Sequence, residues 1–91
     1  MGDAAVSIAR LRLDAGARTP ESFLRTGAEY LAITGGRATV AVAEAEHTLE
    51  RGDVLELPPC VPHHVRALTA LEALVVCAPA FDSDAHVVSD R

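Results

Sequence analysis

Three prolines within residues 52–65, "GDVLELPPCVPHHV", constrain the fold of this chain more than any other feature of its sequence. Each proline fixes φ and removes an N–H donor, so the segment that holds them cannot be a helix or a central strand. A bend that only reverses the chain would use Gly or Asn. We therefore interpret this one as a rigid bend that ends a strand and holds His63 and His64 in a fixed orientation.

Alternating polar and apolar residues on both sides of this bend predict an all-β fold. In "ARLRLD", for example, Leu11 and Leu13 share one face and Arg10 and Arg12 share the other. Residues 15–22 read as a loop and 83–91 as a polar tail. Regularly spaced turn signals favour a β-barrel or sandwich. The predicted strands cover residues 9–14, 29–33, 37–43, 47–50, 54–57, 63–68 and 71–78.

Two of these segments also fit a helix. Residues 37–50 and 67–78 are rich in Ala, Leu and Glu, which are good helix formers. Apolar residues in the second segment also recur at helical spacing, at Leu71, Leu74, Val75 and Ala78. Composition alone leaves both alternatives open, and the alternation elsewhere favours strands.

Size and charge exclude several classes of function. A chain of 91 residues makes a single domain, here 1–91. Its net charge of −5, with no lysine, argues against nucleic acid or an anionic membrane as a partner, and excludes Schiff-base chemistry. Two cysteines make no disulfide framework, the start is too polar for a signal peptide, and no apolar run could span a membrane. We expect a cytoplasmic domain.

Residues 52–67 resemble the second of two motifs that mark the cupin family, which runs Gly, five residues, Pro-x-Gly, two residues, His, three residues, Asn. Gly52, Pro58 and His63 keep this spacing, whereas Cys60 replaces the second glycine and Ala67 replaces the asparagine. The resemblance covers about residues 10–82. It implies a cupin-type β-barrel, or double-stranded β-helix (jelly roll). It also implies a homodimer that pairs through an outer sheet, and a thin aliphatic core would benefit from burying Tyr30, Val40 or Val42 there.

The first cupin motif is degenerate in this chain. "EYLAITGG" is similar to its second half, with Glu29 as the acid and Gly36 as the glycine. Depending on whether three or four residues precede the acid, the motif's His-x-His pair falls on Phe23 and Arg25 or on Ser22 and Leu24, and neither pair contains a histidine.

This loss bears on the metal that the resemblance implies. Typical cupins hold a divalent metal with two His and one Glu from the first motif and one His from the second, and only Glu29 and His63 remain here. Two ligands hold a first-row metal too weakly, so we expect no metal and no other cofactor. The alternative is a metal enzyme that uses Glu29, His47 and His63, because His47 shares strand parity with Leu49; His64 would face away.

Inside an aliphatic barrel, Glu29 and His63 could instead take up and return a proton. Such a pair suits isomerisation, cyclisation or dehydration of a small enolisable substrate. We therefore predict that the barrel binds a small organic ligand, with Glu29 and His63 as catalytic residues of an isomerase or cyclase. A non-catalytic ligand sensor is the alternative from another class, and an inert buried pair is the structural one.

Four further residues are predicted to contact the ligand: Phe23, Arg25, His47 and Cys60. Arg25 could bind a carboxylate or phosphate, or could simply be a solvated loop residue. Cys60 could be a nucleophile if a nearby histidine activates it, or a small buried filler.

Overall fold

The computed structural model describes residues 5–89, which fold into two antiparallel sheets that pack face to face. The first sheet has the strand order β1-β8-β3-β6 and the second β5-β4-β7-β2-β9. This arrangement confirms the all-β, cupin-type jelly roll. The strands are β1 Ser7–Leu13, β2 Ser22–Leu24, β3 Ala28–Gly35, β4 Arg37–Val42, β5 Ala45–Glu50, β6 Val54–Leu57, β7 His63–Ala67, β8 Leu71–Ala78 and β9 His86–Val88.

The core between the sheets is mainly aliphatic. Alternate residues of each strand point into it, and the largest fully buried side chains are those of Leu31, Val40 and Leu71. Val40 therefore has no surface to offer a partner chain, so its predicted role at a dimer interface is wrong. Val42 also packs against this core.

Both segments that could have been helices are strands. β8 pairs with β1 on one side and with β3 on the other, so hydrogen bonds to neighbouring strands satisfy its backbone on both edges. Its side chains alternate accordingly: Leu71 and Ala73 are buried and Glu72 is exposed. Tertiary pairing outweighs the helix propensity of this composition.

Two short strands were not predicted. Ser22–Leu24 (β2), in and after the predicted loop, pairs with His86–Val88 (β9) in the predicted tail. A 3-10 turn at Ser83–Ala85 precedes β9. Residues 86–88 are thus part of the second sheet rather than a free tail, while residues 90–91 lie outside the described residues. Strands of three residues are too short to show a readable alternation.

The proline bend leads into β7 and contains one residue with a left-handed backbone conformation. Cys60 has φ 67, a conformation that favours glycine, and its N–H donates to the carbonyl of Leu24 at 2.6 Å. This is the position at which the second cupin motif has its second glycine. The bend therefore keeps the glycine's backbone geometry although the residue is cysteine.

Among residues 5–89, no helix is long and apolar enough to cross a membrane.

Candidate functional site

Four side chains, one from each strand, form a row across the inner face of the first sheet. Strand register pairs Cys77 on β8 with Ser7 on β1 and with Glu29 on β3, and pairs Glu29 with Leu57 on β6. Directly paired residues of antiparallel strands project to the same face. Because Cys77 and Leu57 are buried, this row points into the barrel and carries Glu29 with it.

His63 approaches this row from the opposite sheet. It is the first residue of β7, and its Nε2 lies 3.5 Å from Oε1 of Glu29, with only 8% and 15% of the two side chains exposed. The alternation in β7 predicted this inward orientation, and the structure confirms it. The distance is at the long limit for a hydrogen bond, so the pair is in contact without being tightly bonded.

The other ring nitrogen of His63 restricts the proton arrangement. Nδ1 lies 3.3 Å from the carbonyl oxygen of Val61, which can only accept a hydrogen bond, so Nδ1 carries a proton when this bond forms. Nε2 is then the atom at which His63 can accept a proton from Glu29 or donate one to it.

A cavity of about 120 Å³ opens beside this pair. Its polar lining consists of Thr19, Ser22, Glu29 and His63. The rest of the lining is aliphatic: Leu11, Leu31, Leu57, Val65 and Val75. This volume is smaller than that of typical drug-sized ligand sites, so the enclosed part of a ligand must be small.

Ser22 shows which spacing of the first motif applies. It pairs with His63 and lines the cavity, so the four-residue spacing holds and the histidine positions fall on Ser22 and Leu24. Phe23 alternates to the other face of β2, and Arg25 is exposed. Neither Phe23 nor Arg25 lines the cavity, and this placement gives no support to their predicted contact with a ligand there.

His47 has the predicted parity but lies at the edge of the fold. It pairs with Val40, an inward residue, yet β5 is the outermost strand of its sheet and His47 is exposed. Within residues 5–89, no group of three or more His, Cys, Asp or Glu side chains is placed to hold a metal ion. Glu29 and His63 alone do not fit the metal that the fold implies, since a catalytic zinc site needs three protein ligands.

Cys60 and His64 differ in part from their predicted environments. Cys60 is exposed rather than a buried filler, and its Sγ donates to the carbonyl of Arg25 at 3.2 Å. His64 lies on the outer face, as predicted, but is only half-exposed, and its buried Nδ1 has no partner in the described part of the chain.

Cys77 pairs with Glu29 without lining the cavity, and the sequence analysis missed this neighbour of the site. Burial raises the pKa of its thiol, the negative charge of Glu29 raises that pKa further, and a hydrogen bond with Ser7 opposes part of this rise. Its strand parity with Leu71 and Ala73 was the available signal. Thr19 was missed as well, because it lies in the predicted loop.

A second, larger depression of about 630 Å³ lies at the other end of β1 and β8. Its charged groups are Arg12, Asp14 and Glu72, and Arg12 Nε bonds Glu72 Oε2 at 3.2 Å while both side chains are more than half exposed. Such solvent-screened ion pairs contribute little to the stability of the fold. The smaller cavity, by contrast, is lined by the largely buried pair of Glu29 and His63, and we therefore take it as the candidate site.

Solved structures with the same fold include enzymes. The nucleoside dehydratase Pac13 of Streptomyces has 17% identity and a TM-score of 0.86, with 99% of this chain and 72% of that chain covered. Oxalate decarboxylase from Bacillus subtilis has 21% identity and a TM-score of 0.87, with 96% and 24% covered. A protein of unknown function from Streptococcus pyogenes has 21% identity and a TM-score of 0.74, with 90% and 69% covered.

No curated protein matches this chain. The family model of the cupin domain, however, matches residues 9–78, and these residues hold both sheets except for part of β1 and all of β9. With the jelly-roll topology, this match shows that the chain belongs to the cupin family.

Proposed function

We propose that this cupin barrel binds a small organic molecule beside Glu29 and His63 and catalyses proton transfer on it, as an isomerase or cyclase. The observation that carries the proposal is the 3.5 Å contact between His63 Nε2 and Glu29 Oε1 at the wall of a cavity. A carboxyl and an imidazole in contact can each donate or accept a proton, which suits them to general acid–base catalysis.

One of the two groups would act as the general base and the other as the general acid. The basic member removes a proton from the carbon next to a carbonyl, and the acidic member donates one to the carbonyl oxygen. Return of the proton to a neighbouring carbon completes an isomerisation, while loss of a neighbouring hydroxyl as water completes a dehydration. Aliphatic neighbours such as Leu31 and Val65 limit competition from bulk water.

The fold comparison is compatible with this chemistry. Pac13, a nucleoside dehydratase, has a barrel of closely similar shape, and its name states an elimination reaction. At 17% identity this likeness concerns the fold, because unrelated activities recur on one fold. Both the reaction class and the substrate are therefore inferred from this chain's own site.

A non-catalytic ligand sensor is the second candidate. The small cavity volume, about 120 Å³, favours it, because little room is left for a substrate to change shape. Both candidates bind a ligand at the same place, and only the catalytic one exchanges protons with it.

Hydrogen exchange separates the two. In D₂O, the wild-type protein should speed up deuterium incorporation at the carbon next to the carbonyl of a small hydroxy-ketone such as hydroxyacetone, followed by proton NMR. Glu29→Gln and His63→Asn should each slow the exchange by roughly 10²-fold or more. The matched control is His64→Asn, which alters the adjacent, outward-pointing histidine and should leave the rate unchanged. Binding without exchange in the wild type would support the sensor instead.

A further inference from the structure

Residues 5–89 place no fixed positive charge in the lining of the cavity beside Glu29 and His63. The chain has no lysine, so arginine supplies every permanent side-chain cation. All arginines within residues 5–89 are exposed, and none of them lines the cavity. They are Arg10, Arg12, Arg18, Arg25, Arg37, Arg51 and Arg66.

The ionisable groups in the lining give the cavity a neutral or negative charge. With one mobile proton on the pair, Glu29 and His63 sum to zero, whether as carboxylate and imidazolium or as two neutral groups. Loss of that proton makes the sum −1. An anionic ligand would therefore meet a carboxylate with at most one compensating charge, in surroundings where charge repulsion is weakly screened.

The remaining polar groups suit hydroxyl and carbonyl oxygens. Ser22 and Thr19 contribute hydroxyls to the lining. The Thr19 oxygen accepts a hydrogen bond from the Val65 N–H at 3.0 Å, so its own hydrogen remains available as a donor. A volume of about 120 Å³ corresponds to roughly four water molecules at the density of the liquid.

We infer that the cavity selects an uncharged hydroxy-carbonyl group of small size and discriminates against carboxylates and phosphates. This inference rests on the proposed function for the location of the binding site. It does not require that the site be catalytic. It replaces the expectation that Arg25 would hold an anionic substrate, because Arg25 lies outside the cavity lining.

Glycolamide and glycolate test this selectivity, since they have the same number of heavy atoms and differ in charge. Each is titrated into isotopically labelled protein near neutral pH while the ring signals of His63 and the carboxyl signal of Glu29 are followed by NMR. We expect saturable shifts with glycolamide, and binding of glycolate that is at least about tenfold weaker. Equal or tighter binding of glycolate, or no binding of either compound, overturns the inference.

A second test of the selectivity removes the charge of Glu29. Glu29→Gln keeps the size of the side chain and should bring the two affinities to within about threefold of each other. Glu56→Gln, on the outer face of β6, is the matched control and should keep the preference for glycolamide. An unchanged preference in Glu29→Gln would show that the carboxylate does not set it.

The outcome is distinguishable from that of the proposed function. Preference for glycolamide together with an absence of hydrogen exchange retains the inference and rejects the catalytic proposal. Exchange on a carbonyl compound together with equal or tighter binding of glycolate retains the catalytic proposal and rejects the inference.

Discussion

Glu29 Oε1 and His63 Nε2 lie 3.5 Å apart although the two residues belong to different sheets of the barrel. Strand register fixes Glu29 beside Cys77, and the proline bend delivers His63 as the first residue of β7. The contact therefore depends on how the sheets pack. Both side chains are largely buried, so removal of either one leaves the other without its contact.

The first prediction concerns the energy of this pair. His63→Ala should change the free energy of unfolding by at most about 1–2 kcal/mol, and could even stabilise the protein, because the 3.5 Å contact is long and a polar group leaves an apolar cavity. The coupling energy with Glu29→Ala in a thermal double-mutant cycle should likewise be small. His64→Ala, the control, should change stability by roughly 0.5 kcal/mol or less.

An inert structural pair predicts a different pattern. His63→Ala would then be strongly destabilising, and the additional removal of Glu29 would partly restore stability. A large effect of His64→Ala with a silent His63→Ala would contradict the assigned register of β7.

The second prediction concerns metal binding. Purified protein should carry well under one equivalent of transition metal per chain, because Glu29 and His63 are the only metal-ligating side chains that residues 5–89 place in the cavity lining. Ser22→His should raise zinc affinity markedly, since it adds a third ligand on the inner face opposite His63. The measurement is elemental analysis combined with zinc titration.

Phe23→His controls for the added histidine, because residue 23 alternates to the outer face of β2. Stoichiometric metal that survives dialysis of the wild type against a chelator would refute this prediction.

The third prediction follows from the raised pKa of Cys77. Below the ordinary thiol pKa of 9.0, the thiol is protonated in both the folded and the unfolded state and stability is independent of it. As pH rises above this value, the unfolded chain loses the proton first. Stability should therefore fall until the pH passes the higher pKa of the folded state, by at most about 1.4 kcal/mol per pH unit.

Urea unfolding of the wild type and of Cys77→Ala between pH 7 and pH 10.5 measures this difference. In Cys77→Ala, the free energy of unfolding should fall less steeply with pH than in the wild type. In Cys60→Ala, which changes an exposed cysteine, it should fall as steeply as in the wild type. Parallel pH profiles for the wild type and Cys77→Ala would contradict the prediction.

The fourth prediction is that the protein is a dimer formed through the outer face of the first sheet. Ile8 and Val54 are 65% and 64% exposed on this face, and Tyr30 lies between their strands. Arg10 on β1 and Glu56 on β6 occupy opposite edges of the sheet, so a two-fold axis can bring the arginine of one copy towards the glutamate of the other.

Light scattering at high micromolar concentration should give the mass of a dimer. Val54→Glu should shift it towards the monomer, because a charge replaces an apolar contact on both subunits. Leu68→Glu changes another exposed apolar residue, 46% exposed and outside this sheet, and should leave the dimer intact. A monomeric wild type would refute the proposal.

The all-β class, most of the strands and the inward orientation of His63 could be predicted from the sequence. These features depend on local signals: a period of two along each strand, turn residues between strands, and prolines that fix φ. The spacing from Gly52 to His63 carried the family resemblance, because the left-handed residue at Cys60 and the rigid bend belong to one short segment.

Which side chains come into contact could be read only from the folded chain. Two spacings of the first motif fitted the sequence, and only the pairing of Ser22 with His63 selected one of them. Cys77 lies 48 residues from Glu29 in sequence yet pairs with it, and His47 has inward parity but lies on an edge strand. Strand parity is a local property, whereas strand order and sheet packing arise from contacts between distant segments, which no short stretch of sequence encodes.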